Sequence, residues 1–171
     1  MKKHLNYIYL VIPFLLLGCN NPDDINPIPT NDSFLPMRIG NYWEYDRHNM
    51  THISDTIRIN NNLFYKFQNI YPRGQVSIIY YRIDENQNLI GSNYSGSTFI
   101  EANFNASIGD TIRPGENGII LTEKSVNLRI FKHLSPRGDY FKTYIRGLGW
   151  TYVREDYPCR KIEIDEVTYH F

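Results

Sequence analysis

Leu128-Arg129-Ile130-Phe131-Lys132-His133-Leu134-Ser135-Pro136-Arg137-Gly138-Asp139-Tyr140-Phe141-Lys142-Thr143-Tyr144-Ile145-Arg146 has the form of a β-hairpin. Two apolar-rich runs, 128–134 and 140–146, flank the tetrapeptide Pro136-Arg137-Gly138-Asp139. Proline presets φ and glycine accepts positive φ, so this is turn chemistry. A link so short joins antiparallel neighbours, because parallel strands need a long crossover.

The same punctuation recurs at Asn60-Asn61-Asn62, Pro72-Arg73-Gly74, Glu85-Asn86-Gln87-Asn88 and Pro114-Gly115-Glu116-Asn117-Gly118. It separates strands expected at Tyr42–Arg47, Thr56–Asn60, Leu63–Tyr71, Val76–Asp84, Thr98–Asn105, Ile119–Ser125, Leu128–Leu134, Tyr140–Arg146, Thr151–Arg154, Arg160–Ile164 and Val167–His170. No stretch after residue 35 sustains a 3.6-residue period, so no helix is available to build crossovers. The expectation is an all-β domain over 34–171: an antiparallel meander, either an open curved sheet or a half-barrel. Near the end of the chain, Ile162 and Ile164 share one phase, while Val167, Tyr169 and Phe171 follow another. That change of parity requires a bulge or tight turn at Asp165-Glu166.

The chain has 171 residues, 42% hydrophobic and 15% aromatic, which suits one domain with a real core and excludes a wholly disordered chain. Eighteen Lys+Arg against 18 Asp+Glu gives no basic excess for binding nucleic acid. Two cysteines cannot make a disulfide framework.

The N-terminus carries an address. Lys2 and Lys3 precede the mostly apolar stretch Leu5 to Leu17, the anatomy of a secretory signal. About 13 such residues are too few to span a bilayer as a helix. The segment closes on Leu16-Leu17-Gly18-Cys19, which resembles the lipobox of bacterial lipoproteins. The resemblance implies that residues 1–18 are a cleaved signal peptide and that Cys19 is lipidated, anchoring the chain to a membrane. More than one acyl chain, at about 0.8 kcal/mol per buried CH₂, makes such an anchor lasting. Residues 19–33 then read as the lipidated cysteine and a flexible, proline-containing tether that reaches roughly 40 Å at about 3.1 Å per residue. Asp23-Asp24 on that tether resembles the acidic export signal of Bacteroidota surface lipoproteins. The expected location is the outer membrane, with the domain facing either the cell surface or the periplasm.

The domain opens with Phe34-Leu35-Pro36-Met37-Arg38-Ile39-Gly40-Asn41-Tyr42-Trp43-Glu44-Tyr45. This resembles the F-x-P-L-x-x-G-N-x-W-x-Y opening of uncharacterised Bacteroidota outer-membrane lipoproteins. Asp55-Thr56-Ile57-Arg58-Ile59-Asn60 with Leu63-Phe64-Tyr65-Lys66 is similar to their D-T-I-x-I-N-G-x-x-Y-Y-K hairpin, although Asn61-Asn62 stands in place of Asn-Gly. Tyr144-Ile145-Arg146-Gly147-Leu148-Gly149-Trp150 is similar to their Y-x-x-G-I-G-L element. The resemblance implies an antiparallel β-domain on a lipid anchor and supplies no catalytic residues.

Residues able to carry chemistry are sparse. Gly91-Ser92-Asn93-Tyr94-Ser95-Gly96 lacks the spacing of a nucleophile elbow, and Gly147-Leu148-Gly149 lacks the third glycine of a phosphate loop. His48 and His52, with Asp46 and Asp55 nearby, sit in a stretch expected to be a hairpin loop, where a four-residue spacing makes no metal face. His133 and His170 are isolated, and Cys159 reads as a buried or lightly exposed free thiol. Glu155-Asp156 and Glu163-Asp165-Glu166 read as solvated edges and turns. Arg137-Gly138-Asp139 matches an adhesion tripeptide but reads as a hairpin turn. Asp55-Thr56-Ile57 and Asp110-Thr111-Ile112 resemble the Bacteroidota O-glycosylation motif. No cofactor or metal is expected.

One pattern remains. Alternation puts Tyr140, Lys142, Tyr144 and Arg146 on one face of their strand, and Trp150, Tyr152 and Arg154 share a face on the next. Tyr80 and Arg82 make a similar pair earlier. Taken as the face opposite the core, these rings and cations could stack on sugars or receive an envelope protein. Tyr140, Tyr144, Arg146, Trp150 and Tyr152 are therefore the candidate binding residues of a non-catalytic binding or assembly module. A curved sheet cupping a lipid or other hydrophobic ligand is an alternative reading. A hydrolase built on a cluster formed only in space is a second.

Overall fold

The computed structural model describes residues 32–93, 95–152 and 158–171, without the side chains of Arg47 and Tyr152. The expected signal peptide, Cys19 and nearly all of the tether lie outside the described residues.

The fold is all-β and antiparallel. Strands β1 (Tyr42–Tyr45), β2 (Met50–Ile59), β3 (Asn62–Ile70), β4 (Val76–Ile83), β5 (Asn88–Ser92) and β6 (Thr98–Asn103) meander in order through one sheet. Strands β7 (Thr111–Arg113), β8 (Ile119–Lys124), β9 (Leu128–His133), β10 (Tyr140–Ile145) and β11 (Gly149–Tyr152) meander through a second. The hairpin of β12 (Cys159–Ile164) and β13 (Val167–His170) then returns to the first sheet, where β12 pairs with β1. The architecture is open; the strands do not close into a barrel. Both sheets contribute to one core, in which Trp43, Phe67 and Tyr81 of the first meet Phe131, Tyr144 and Trp150 of the second.

Turn chemistry sets the registers. Asn60 and Asn61 adopt φ of 48° and 67°, and Asp165 and Glu166 adopt 53° and 70°. Each pair is the two-residue loop of a hairpin whose twist demands positive φ at both positions. The second pair is the tight turn that the parity change requires, and Ile162 and Ile164 face the core as their phase predicts. Pro136 to Asp139 turns β9 into β10, with the Gly138 N–H donating to the Ser135 carbonyl at 3.0 Å and Asp139 ion-paired to Lys132 at 2.8 Å. Glycine accepts without steric cost the backbone that Asn61 holds, so Asn61→Gly is expected to stabilise the domain in urea unfolding, by less than about 1 kcal/mol because glycine also loses more chain entropy on folding.

Three pieces of strand escape the sequence reading. Met50 to Ser54, expected as a loop, is the first half of β2, so His52 stands in a ladder opposite Tyr42 and Gln68. The three-residue β7 is too short to show a period. Strand β5 contains Gly91, which argues against a strand until its neighbour is seen. The Phe99 ring lies over it so closely that a Cβ on Gly91 would come within 2.5 Å of Phe99 Cζ.

Two of the motifs that carried the resemblance, the opening and the Tyr144–Trp150 element, meet in space. The Trp43 indole donates to the Leu148 carbonyl at 2.7 Å. Gly149, at φ of 80°, lets that ring approach: a Cβ there would lie 2.9 Å from Trp43 Cζ2. Asn41 is buried, donates to the Pro36 carbonyl and accepts from the Asp165 N–H. These residues hold the two sheets and the β12–β13 turn together.

Candidate functional site

The structure corrects the expected outward binding face. Tyr144 is fully buried and Trp150 is 6% exposed, both inside the shared core. Tyr140 stacks on the buried His133 at 4.8 Å, on the same inward side. Phe141, assigned by the sequence reading to the core side, is 42% exposed. Arg146 lies just beyond β10, where it pairs with Asp32 at 2.8 Å and lies over the Phe34 ring. Tyr152 lies on β11, with its side chain outside the described set. Tyr80 and Arg82 occupy the far side of the first sheet, since it is Tyr81 that enters the core.

The inversion has a physical reason. Lysine is kept out of a core because an unpaired buried charge is costly. Here Glu101, on β6 of the facing sheet, meets Lys142 in an ion pair with side chains only 7% and 15% exposed. Burial is the largest influence on the Glu101 carboxyl and would raise it, but the charge and hydrogen bond of Lys142, joined by His133 and Arg113, together hold the group below its usual range. Burial would likewise lower the Lys142 ammonium, and Glu101 together with Tyr81 and Tyr144 lifts it well above its ordinary value. With the cation neutralised, the β10 face that bears it can turn inward and bring Tyr140 and Tyr144 with it.

A cleft of about 460 Å³ opens beside this pair, between the two sheets. Tyr45, Tyr81 and Trp150 form aromatic wall, Met50, Ile70 and Ile79 add aliphatic surface, and Lys142 supplies the charge. Thr51 and Asn69, joined by a 2.7 Å hydrogen bond, mark its polar side. Burial raises the hydroxyls of Tyr45 and Tyr81 far above their ordinary range, so both are neutral donors at physiological pH. The Trp150 Nε1 makes no hydrogen bond of normal geometry. The arrangement can enclose a small, mostly apolar molecule and offer it a few fixed polar contacts. Cleft volumes of roughly 300–1,000 Å³ with such linings are typical of small-molecule sites.

Other candidates are dispersed. His48 is exposed in the turn after β1, and His52 is half-buried on β2. Among the described residues, no three His, Cys, Asp or Glu side chains gather as a metal site. Cys159 is buried, and burial pushes its thiol up to about 12, where it is unreactive. Glu163 faces Thr168 on the β12–β13 hairpin, and Arg38 pairs with Asp165 and Glu166. Glu101 is the only buried carboxylate among the described residues, and its partner is a lysine. The sequence reading missed Glu101 as a site residue; the signal was a lone acid within Thr98–Asn103, opposite in sign to the lysine of Tyr140–Ile145.

Burial pushes the His133 imidazole down to about 4, and its Nε2 has no hydrogen-bond partner. The unfolded chain therefore binds the extra proton between an ordinary pKa near 6.5 and about 4. Stability should be intact above 6.5 and fall as the pH drops through that window, by at most about 1.4 kcal/mol per unit. His133→Gln should flatten that slope in unfolding curves recorded at several pH values.

No family model matches the chain, and neither the curated proteins nor the solved structures contain a match to it, so the cleft stands on its own geometry.

Proposed function

We propose that this chain is a lipid-anchored lipoprotein of the bacterial outer membrane, of the kind its opening motifs resemble, whose β-domain binds a small hydrophobic ligand between its sheets. The cleft carries this reading: aromatic and aliphatic walls with one neutralised cation beside them. It favours an enclosed ligand over a glycan or protein laid on the sheet, because the rings offered for stacking are turned inward. It favours binding over hydrolysis, because the buried carboxylate is held in an ion pair and burial keeps the nearby phenols protonated.

Two measurements test the two halves. Cys19→Ala is expected to lose acyl labelling and membrane retention; unchanged retention overturns the anchor. Native mass spectrometry of the protein purified from membranes should show a one-to-one adduct of defined mass. Ile70→Trp, which fills the half-buried rim of the cleft, should remove it. An adduct missing from the wild type, or equally abundant in the variant, overturns the cleft.

A further inference from the structure

A second cavity, of about 650 Å³, lies where the chain enters the domain. Its chemistry differs from that of the cleft. Arg129 and Arg146 both lie over the Phe34 ring, 4.4 and 4.6 Å from its centroid, and line the cavity.

Like charges repel, so bringing two guanidiniums to one ring needs bracing, and backbone carbonyls supply it. Arg129 is buried; its Nε donates to the Phe104 carbonyl at 2.8 Å, and its Nη1 donates to the carbonyls of Leu128 and Ser125. Arg146 Nε donates to the Val126 carbonyl at 3.0 Å, and its Nη1 to the Asp32 carbonyl and carboxylate. Among the described residues no hydrogen bond uses the Nη2 of either arginine. Burial and the neighbouring Arg146 charge both depress Arg129, the mark of a cation that lacks a local counterion. The carboxylates nearby do not supply one. Asp32 is 90% exposed at the rim, and Asp84, near Arg82, is occupied by the N–H groups of Asn86 and Asn88.

We infer that this cavity binds a phosphate monoester, with its phosphate held by the unused Nη2 groups of Arg129 and Arg146 and its organic part against the apolar lining. Guanidinium forks match the several oxygens of a phosphate, which a single carboxylate does not provide. Met37, Leu63 and Phe104 line the same space, which exceeds what a bare oxyanion fills. Asp32 gives up its pairing with Arg146 when the ligand enters.

Phenyl phosphate, inorganic phosphate and phenol, titrated calorimetrically into the full-length protein in nonionic detergent, test this. Phenyl phosphate should bind saturably, weaken as salt is added, and outbind the other two probes. Arg146→Gln should weaken it by about tenfold or more, the loss of one charge-assisted contact. Asp32→Asn should tighten it, because a competing carboxylate is removed; a merely structural Arg146–Asp32 pair predicts no such gain. Equal binding of inorganic phosphate would assign the site to the phosphate group alone and overturn the monoester. Failure of phenyl phosphate to bind at millimolar concentration, or binding indifferent to Arg146→Gln in a folded variant, overturns the site.

Discussion

Glu101→Ala is expected to destabilise the domain by about 3–5 kcal/mol in denaturant unfolding, the cost of leaving one partner of a buried ion pair alone. Glu101 comes from β6 of the first sheet and Lys142 from β10 of the second, so the pair is also a cross-sheet tie. Removing the acid leaves an ammonium between Tyr45, Tyr81 and Tyr144, with burial no longer opposed by an opposite charge. Replacing both partners should behave differently. Glu101→Leu combined with Lys142→Met removes the desolvation cost along with the attraction, and such replacements are often neutral or stabilising. The double variant is therefore expected near wild-type stability, well above either single variant. A loss below about 1 kcal/mol for Glu101→Ala would be the value of an exposed pair and would contradict the inward turn of β10.

Trp150→Ala is expected to cost about 3–5 kcal/mol, as is normal for deleting a large aromatic from a core. The Trp150 ring lies 5.3 to 6.2 Å from those of Trp43, Phe67, Tyr81 and Tyr144, so its removal opens a void at the junction of the sheets. Tyr144→Ala belongs to the same class, with Phe104 and Phe131 on its other side. Phe141→Ala, one residue from Lys142 and on the exposed face, should cost less than about 1 kcal/mol. The contrast is diagnostic. Were the aromatic face outward, the first two variants would keep their stability and Phe141→Ala would lose it. Thermal unfolding of the three variants side by side distinguishes the two orientations without any ligand.

The domain motifs that carried the resemblance turn out to be architectural. Trp43 and the pair Leu148-Gly149 are far apart in the chain, yet an indole N–H and a glycine without Cβ lock them together. The resemblance they carry implied an antiparallel β-domain and said nothing of the contact between them. The cleft and the arginine cavity are assembled from strands of both sheets, and no local pattern marks either one.

Local chemistry along the chain controls where it turns and pairs. Pro136-Arg137-Gly138-Asp139 and Asn60-Asn61 carry residues that favour turn geometry, and the change of apolar phase after Ile164 requires a turn at Asp165-Glu166, so antiparallel strands and that turn were legible. Alternation likewise divided β10 into two faces. Which face is buried is a different kind of quantity, because both faces carry aromatic rings and only one carries a lysine. Burying Tyr144 and Lys142 becomes favourable only when Glu101, some forty residues away and on another sheet, arrives to neutralise the charge. The sign of that balance depends on the dielectric and the partner at the end of the side chain. Tertiary structure alone supplies both.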